Sequence, residues 1–214
     1  MYLAVDRVNP GYEWVFEDED TIAVEKLNGT NIKILAQGNK IVQVQNRKNV
    51  IDPLDMKGIS PSVMEGICRA AQLDFVRPDG DQAGELIGTK LQGNPYRIDG
   101  HLWYAFDVAV ERLKYNSFNK HKRTFDNISD WFRDGLFSRF CEKRAAKEHS
   151  GTISLTAKVF AEGVVFYNFR RRAEEKTWRA KLRRDMFPWY YDKIEIYEYD
   201  KSGRPDAEDQ EKFD

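Results

Sequence analysis

The sequence is poor in cysteine, histidine and long apolar runs, and each scarcity removes a class of protein. Its 214 residues hold two cysteines, Cys68 and Cys141. Both fall in stretches patterned as helices, which suits reduced core thiols in a cytosolic protein better than a disulfide framework. The three histidines, His101, His121 and His149, lack the spacing of a zinc site. No apolar run approaches a membrane span, and residues 1–7 turn charged too soon for a signal peptide. The expectation is a soluble, cytoplasmic protein with no membrane partner. Charge of one sign is missing as well. With 34 basic and 35 acidic residues the net charge is −1, so any polyanion partner needs a local basic surface. Neither an internal repeat nor a low-complexity linker divides the chain, and its length fits one sizeable domain.

Aromatic residues are plentiful: thirteen Phe, ten Tyr and five Trp, within a 41% hydrophobic content ample for a core. Residues 21–24 read as a strand leading to Lys26, and residues 32–35 as a strand leading away from Asn28-Gly29. Asn and Gly accept the positive φ of tight strand turns, so this segment predicts a hairpin with Lys26 at its shoulder. A lysine there is held on rigid backbone, as a nucleophile needs to be. Residues 40–47 alternate polar and apolar as a half-buried strand. Ser60-Pro61 predicts a helix start, with Met64, Ile67, Cys68 and Ala71 as its apolar stripe. Residues 103–110 read as a buried strand. Residues 125–149 read as one helix, with Ile128, Phe132, Leu136 and Phe140 at i, i+4 spacing and Gly135 as a weak point. Further strands are expected at 157–169, 176–183 and 194–199, before a charged, flexible tail at 200–214. Many strands with few helices predict an α+β domain of antiparallel sheets flanked by helices.

Isolated charges interrupt otherwise apolar strands: Lys26, Glu85, Asp107 and Glu162, with Lys181 and Arg183 alternating on another. A buried charge is costly unless it is paired or binds a cation. Each such residue alone is commonly a structural ion. Several converging from different strands describe a polar cleft with a lysine, carboxylates and cations.

The order of these residues resembles the covalent nucleotidyltransferases, the polynucleotide ligases and mRNA capping enzymes. Lys26-Leu27-Asn28-Gly29 looks like their lysine motif, and Arg47 like the next. Gly84-Glu85-Leu86-Ile87-Gly88 and Phe106-Asp107 resemble the motifs that follow. Glu162-Gly163-Val164-Val165 and Lys181-Leu182-Arg183 resemble the closing pair. Within that superfamily the chain is most similar to ATP-dependent RNA ligases of the phage RNA ligase 2 group. The resemblance implies a nucleotidyltransferase, ATP-grasp-like core over residues 1–199, with no OB-fold or helical C-terminal domain evident. It implies an ATP-dependent RNA ligase that joins 5′-phosphate and 3′-hydroxyl ends through a lysine–AMP intermediate. Its cofactors are ATP and Mg2+ or Mn2+, and its partners are RNA ends, with an accessory protein or further domain to help grip them. Lys26 is then the catalytic nucleophile, and Glu162 helps bind the divalent metal. Glu25 (through its main-chain carbonyl), Asn31, Arg47, Glu85, Phe106, Lys181 and Arg183 contact nucleotide or substrate. Asn28 and Arg183 depart from the commoner acid and lysine of their motifs.

Lys26 must shed its proton to attack phosphorus, and a free lysine titrates near ~10.4. Neighbouring cations such as Lys181, Arg183 and a bound metal are expected to favour the neutral amine. Between Lys158 and Arg184 nine basic residues face three acids, with Tyr167, Phe169 and Trp178 interleaved, a local basic face suited to nucleic acid. Alternatives remain: a DNA ligase, a GTP-dependent capping guanylyltransferase, or an inactive module that binds nucleotide or RNA ends.

Overall fold

Two antiparallel sheets carry the fold of this computed structural model, which describes residues 3–55, 57–120, 122–148, 158–171 and 178–191. Strand β1 (Ile22–Lys26) pairs with β6 (Gly163–Tyr167), and β6 with β7 (Arg179–Arg183), in a three-stranded sheet. The second sheet runs β3-β2-β4-β5, from β2 (Thr30–Gln37), β3 (Lys40–Gln45), β4 (Gly80–Gly88) and β5 (His101–Ala105). The expected α+β architecture is therefore present.

Asn28-Gly29 is a crossing between the two sheets, not the predicted hairpin turn. β1 and β2 do not pair with each other, and neither Asn28 nor Gly29 takes a positive φ. Space is what demands glycine here, because a Cβ on Gly29 would collide with the carbonyl oxygen of Leu86. The tight hairpin lies further on, at Gly38 (φ 56°) and Asn39 (φ 65°), which turn β2 into β3.

Strand alternation sorts the small sheet's side chains. Ala23, Val164 and Phe166 are buried in one core with Trp14, Phe118, Ile128, Phe132 and Phe187. Val24 and Tyr167 belong to the other core, which is built on the larger sheet around Ile32, Leu86 and Trp103. Helix α2 (Ser60–Gln72) covers the larger sheet and buries Val63, Gly66, Ile67 and Ala70. Its buried stripe is thus rotated from the predicted one, and Cys68 is exposed while Cys141 is buried; both are free thiols.

Two further expectations change. The strand predicted over 103–110 ends at Ala105, and helix α3 (Phe106–Arg112) begins there, burying Ala109. A short apolar run fits either period, and the extended Ala105 (ψ 139°) acts as the helix's N-cap. The long helix of 125–149 is broken into α4 (Phe125–Asp130), a π-helical turn (Trp131–Gly135) and α5 (Arg139–Glu148). The break splits its apolar stripe: Ile128, Phe132 and Leu136 join the aromatic core, whereas Phe140 joins the other. A four-residue helix, α1 (Trp14–Glu17), completes the set. The predicted strand at 194–199 and the tail at 200–214 lie outside the described residues. Among the described residues no helix is long and apolar enough to cross a membrane.

Candidate active site

The small sheet presents the lysine. Lys26 ends β1 opposite Gly163 of β6, which in turn faces Arg183 of β7. The next row on the same face, two residues toward the strand's start, is Val24, Val165 and Lys181. Ladder spacing places the Lys26 and Arg183 backbones roughly 10 Å apart. The amine of Lys26 donates to Glu162 Oε2 at 2.5 Å. The two side chains are only 22% and 21% exposed, so this pair is less screened than a surface ion pair. The nearest charged partner of the amine is therefore a carboxylate, where the sequence led us to expect cations.

The opposite wall comes from the larger sheet and α3. Asn31 and Glu85 are register partners on β2 and β4 and share one face. Arg47 follows β3, and Phe106 opens α3. A cavity of about 1070 Å³ takes in the space between these walls and continues past residues 3–9 to Phe125, Phe166 and Phe187 of the aromatic core. Seven of the nine predicted site residues line it: Glu25, Lys26, Asn31, Arg47, Glu85, Phe106 and Lys181. Glu162 joins them through Lys26. Burial pushes the Glu85 carboxyl up to about 7, against the pull of Lys26 and Arg47; the negative Glu162 nearby pushes the same way as burial.

Glu25 turns its side chain away from the lysine's face, as its position one residue earlier on a strand requires. The carboxylate is buried and accepts from the Ser138 hydroxyl at 2.6 Å and from the Phe140 N–H at 2.8 Å. Burial still raises it to about 7 despite these donors. The Glu25 side chain thus fastens the lysine strand to the start of α5. Its main-chain N–H donates to Leu113 O.

Two charges stand apart. Asp107 lies in the first turn of α3, largely exposed, and pairs with Arg77 at 3.2 Å. Arg183 shares the row of Lys26, but its guanidinium pairs with Asp185 at 3.0 Å. Arg172 and Lys176 of the basic stretch fall outside the described residues. Arg179 and Tyr167, expected from sequence as part of a basic face for nucleic acid, line the cleft as register partners. Two residues the sequence did not single out also reach the lysine segment: Ser138 and Tyr96 do so through long-range hydrogen bonds that leave no trace in local sequence.

A strand-borne lysine facing carboxylates and cations across a two-sheet cleft is consistent with a nucleotidyltransferase core. Residues 19–183 match the family model described as RNA ligase, and the chain belongs to that family. No curated protein matches it in sequence. Among solved structures it resembles a mutant of Naegleria gruberi RNA ligase with ATP and Mn, at 14% identity and a TM-score of 0.50. That alignment covers 90% of this chain and 58% of the other. The same ligase with PPi aligns at 16% identity and a TM-score of 0.50, covering 90% and 57%. The likeness is one of fold, and the chain spans less than three fifths of the length of these relatives.

Proposed function

We propose that this chain is an ATP-dependent RNA ligase of the RNA ligase 2 type, with Lys26 as its nucleophile. The observation that carries the reading is the Lys26–Glu162 pair at the end of β1, in a cleft that also holds Phe106, Glu85, Arg47 and Lys181. In the first step the Lys26 nitrogen attacks the α-phosphorus of ATP. The bond from that phosphorus to the bridging oxygen breaks, pyrophosphate leaves, and the amine proton passes to solvent, so that Glu162 stays a carboxylate. In the second step an oxygen of an RNA 5′-phosphate attacks the same phosphorus. The N–P bond breaks and the lysine takes a proton back. In the third, an RNA 3′-hydroxyl attacks the 5′-phosphate and AMP departs.

Phe106 stacks on the adenine, and the Glu25 carbonyl takes its amino group. Glu85, its carboxyl pushed up to about 7 by burial, hydrogen-bonds the ribose hydroxyls. Lys181 and Arg183 hold the α-phosphate, Arg47 the ribose or substrate phosphate, and Asn31 serves the later steps. Arg170, Arg179 and Lys181 are exposed cations along the path of the RNA backbone.

The Naegleria gruberi ligase mutant was solved with ATP and Mn, and the residues here fit a hard divalent cation. Among the described residues no group of three His, Cys, Asp or Glu forms a closed metal cage. Mg2+ and Mn2+ do not need one, since one or two carboxylates plus substrate phosphates suffice. Glu162 would hold the ion, which when bound neutralises charge on the phosphate oxygens.

The test is direct. The protein is incubated with α-labelled ATP or GTP and Mg2+ or Mn2+, denatured, and assayed for acid-labile label, with Lys26→Ala alongside. AMP on the wild type alone supports the reading, and panels of nicked RNA and DNA then rank substrates. GMP instead of AMP points to capping chemistry, and no label on folded protein overturns the reading.

A further inference from the structure

The β4–β5 connection reaches back to the lysine strand through one side chain. The N–H of Asn28, two residues after Lys26, donates to Tyr96 Oη at 2.7 Å. Tyr96 is 2% exposed, and its ring meets Phe140 edge-on at 5.3 Å. A phenylalanine would fill that apolar site equally well. The hydroxyl adds only its polar contacts, and the one it makes to the lysine strand is at Asn28. Burial holds the phenol well above 10, so it stays protonated across the working pH range.

The segment carrying Tyr96 is itself braced. Asn94 exchanges two hydrogen bonds with Ile98, through Nδ2 to its carbonyl at 2.9 Å and from its N–H at 3.1 Å. Arg144 of α5 donates to the Tyr96 carbonyl at 2.8 Å. Four non-glycine residues of the connection, Lys90, Gln92, Asn94 and Arg97, take positive φ, a backbone cost that these bonds must offset. On the other side of the lysine, Glu25 is fastened to Ser138 and Phe140. Lys26 is therefore gripped at the residue before it and two residues after it.

On the footing of the lysine-adenylylation reading, we propose that Tyr96 is a positioning residue: its hydroxyl, bonded to the Asn28 N–H, sets the place of Lys26 for attack on the α-phosphorus. Its role is in the rate of the first step and not in the binding of nucleotide or RNA. A nucleophile displaced by a fraction of an ångström loses rate without losing ligand affinity.

The experiment compares wild type with Tyr96→Phe in single-turnover AMP transfer at saturating ATP. Phe75→Leu serves as a control that loosens the same core but touches neither the hydroxyl nor the grip on Lys26. We expect Tyr96→Phe to slow labelling roughly tenfold, with the Kd of ATP within about twofold. Phe75→Leu should label at nearly the wild-type rate even if its Tm falls as far. Equal slowing in both variants, or wild-type labelling by Tyr96→Phe, overturns the proposal. Hydrogen exchange of the Asn28 amide is read in the same samples. It should speed up in Tyr96→Phe and not in Phe75→Leu, and unchanged protection overturns the proposal whether or not AMP label forms. A wild type that takes no label instead counts against the ligase reading, so the two failures are distinct.

Discussion

The two faces of the three-stranded sheet come from the same strands, one residue apart, and they differ in how their groups are satisfied. The Ala23, Val164 and Phe166 face is closed by packing against an aromatic layer that includes Phe118, Phe132 and Phe187. The Val24, Lys26 and Val165 face borders the cleft where the lysine has its carboxylate partner, and Phe166 and Phe187 reach the same cavity only at its far end, beyond Ala180 and Leu182. The difference teaches that strand alternation separates stability from chemistry over a single residue step. Substitutions on neighbouring positions of one strand should therefore fail in different assays.

The strongest break of that comparison is Lys26→Ala. Labelling with AMP should fall on the order of 10³-fold or more, as for loss of other covalent nucleophiles. The urea midpoint should correspond to a stability change within about 1 kcal/mol, because the lost ion pair is partly solvated. Phe166→Ala is the mirror case on the packed face. It should cost about 3–5 kcal/mol by urea denaturation, a large share of a small domain's stability. Labelling per folded molecule should stay within a few-fold of wild type. If Phe166→Ala loses labelling as steeply as Lys26→Ala, the two faces are not separable.

Glu25 sharpens the comparison through pH. Its folded pKa, about 7, lies above the ordinary 4.5 because of burial. The native state therefore holds a proton that the unfolded chain has released, and stability falls as pH rises from about 4.5 to about 7, then levels. The full drop from this one carboxyl is on the order of 3 kcal/mol. Glu25→Gln should remove that part of the slope in denaturation measured from pH 5 to 8. At pH 5, where the native carboxyl holds its proton, the substitution should change stability by less than about 1 kcal/mol, since acid and amide alike offer one carbonyl oxygen to the Phe140 N–H and a donor to the Ser138 hydroxyl. A shallower slope should persist, because Glu85 is raised in the same direction. An unchanged slope in Glu25→Gln would sink the assignment.

The parts of the site that sequence reveals are those where chemistry forces a residue against its local pattern. Lys26, Glu85 and Glu162 stand out because a charge on an apolar strand needs a reason, and the cleft brings them together. The α+β class follows similarly from strand periods. What sequence hides depends on distant partners. Asn28-Gly29 has the local chemistry of a hairpin turn, yet the close approach of the Leu86 carbonyl is what selects the glycine. The apolar run at 103–110 suits a strand or a helix, and packing makes its second half α3. Tyr96 and Ser138 are ordinary loop and cap residues until the fold delivers their oxygens to the lysine strand.

Asp107 marks where the cleft ends and carries the smallest expected effect. By sequence it is an isolated acid beside the aromatic Phe106, with a weaker case than Glu85 and Glu162 and equally readable as a structural ion. In the fold it occupies the first turn of α3, where the helix dipole favours a negative charge, and its partner is the exposed Arg77. Both side chains are more than half exposed, 73% and 55%, so their pairing is worth little in water. Asp107→Asn should change stability by less than about 0.5 kcal/mol and leave AMP labelling within about twofold of wild type. A tenfold loss of labelling would extend the reactive face onto the first turn of α3 and place Asp107 in contact with nucleotide or metal. Labelling at the wild-type rate keeps the reactive acids to the two already facing Lys26, Glu162 and Glu85.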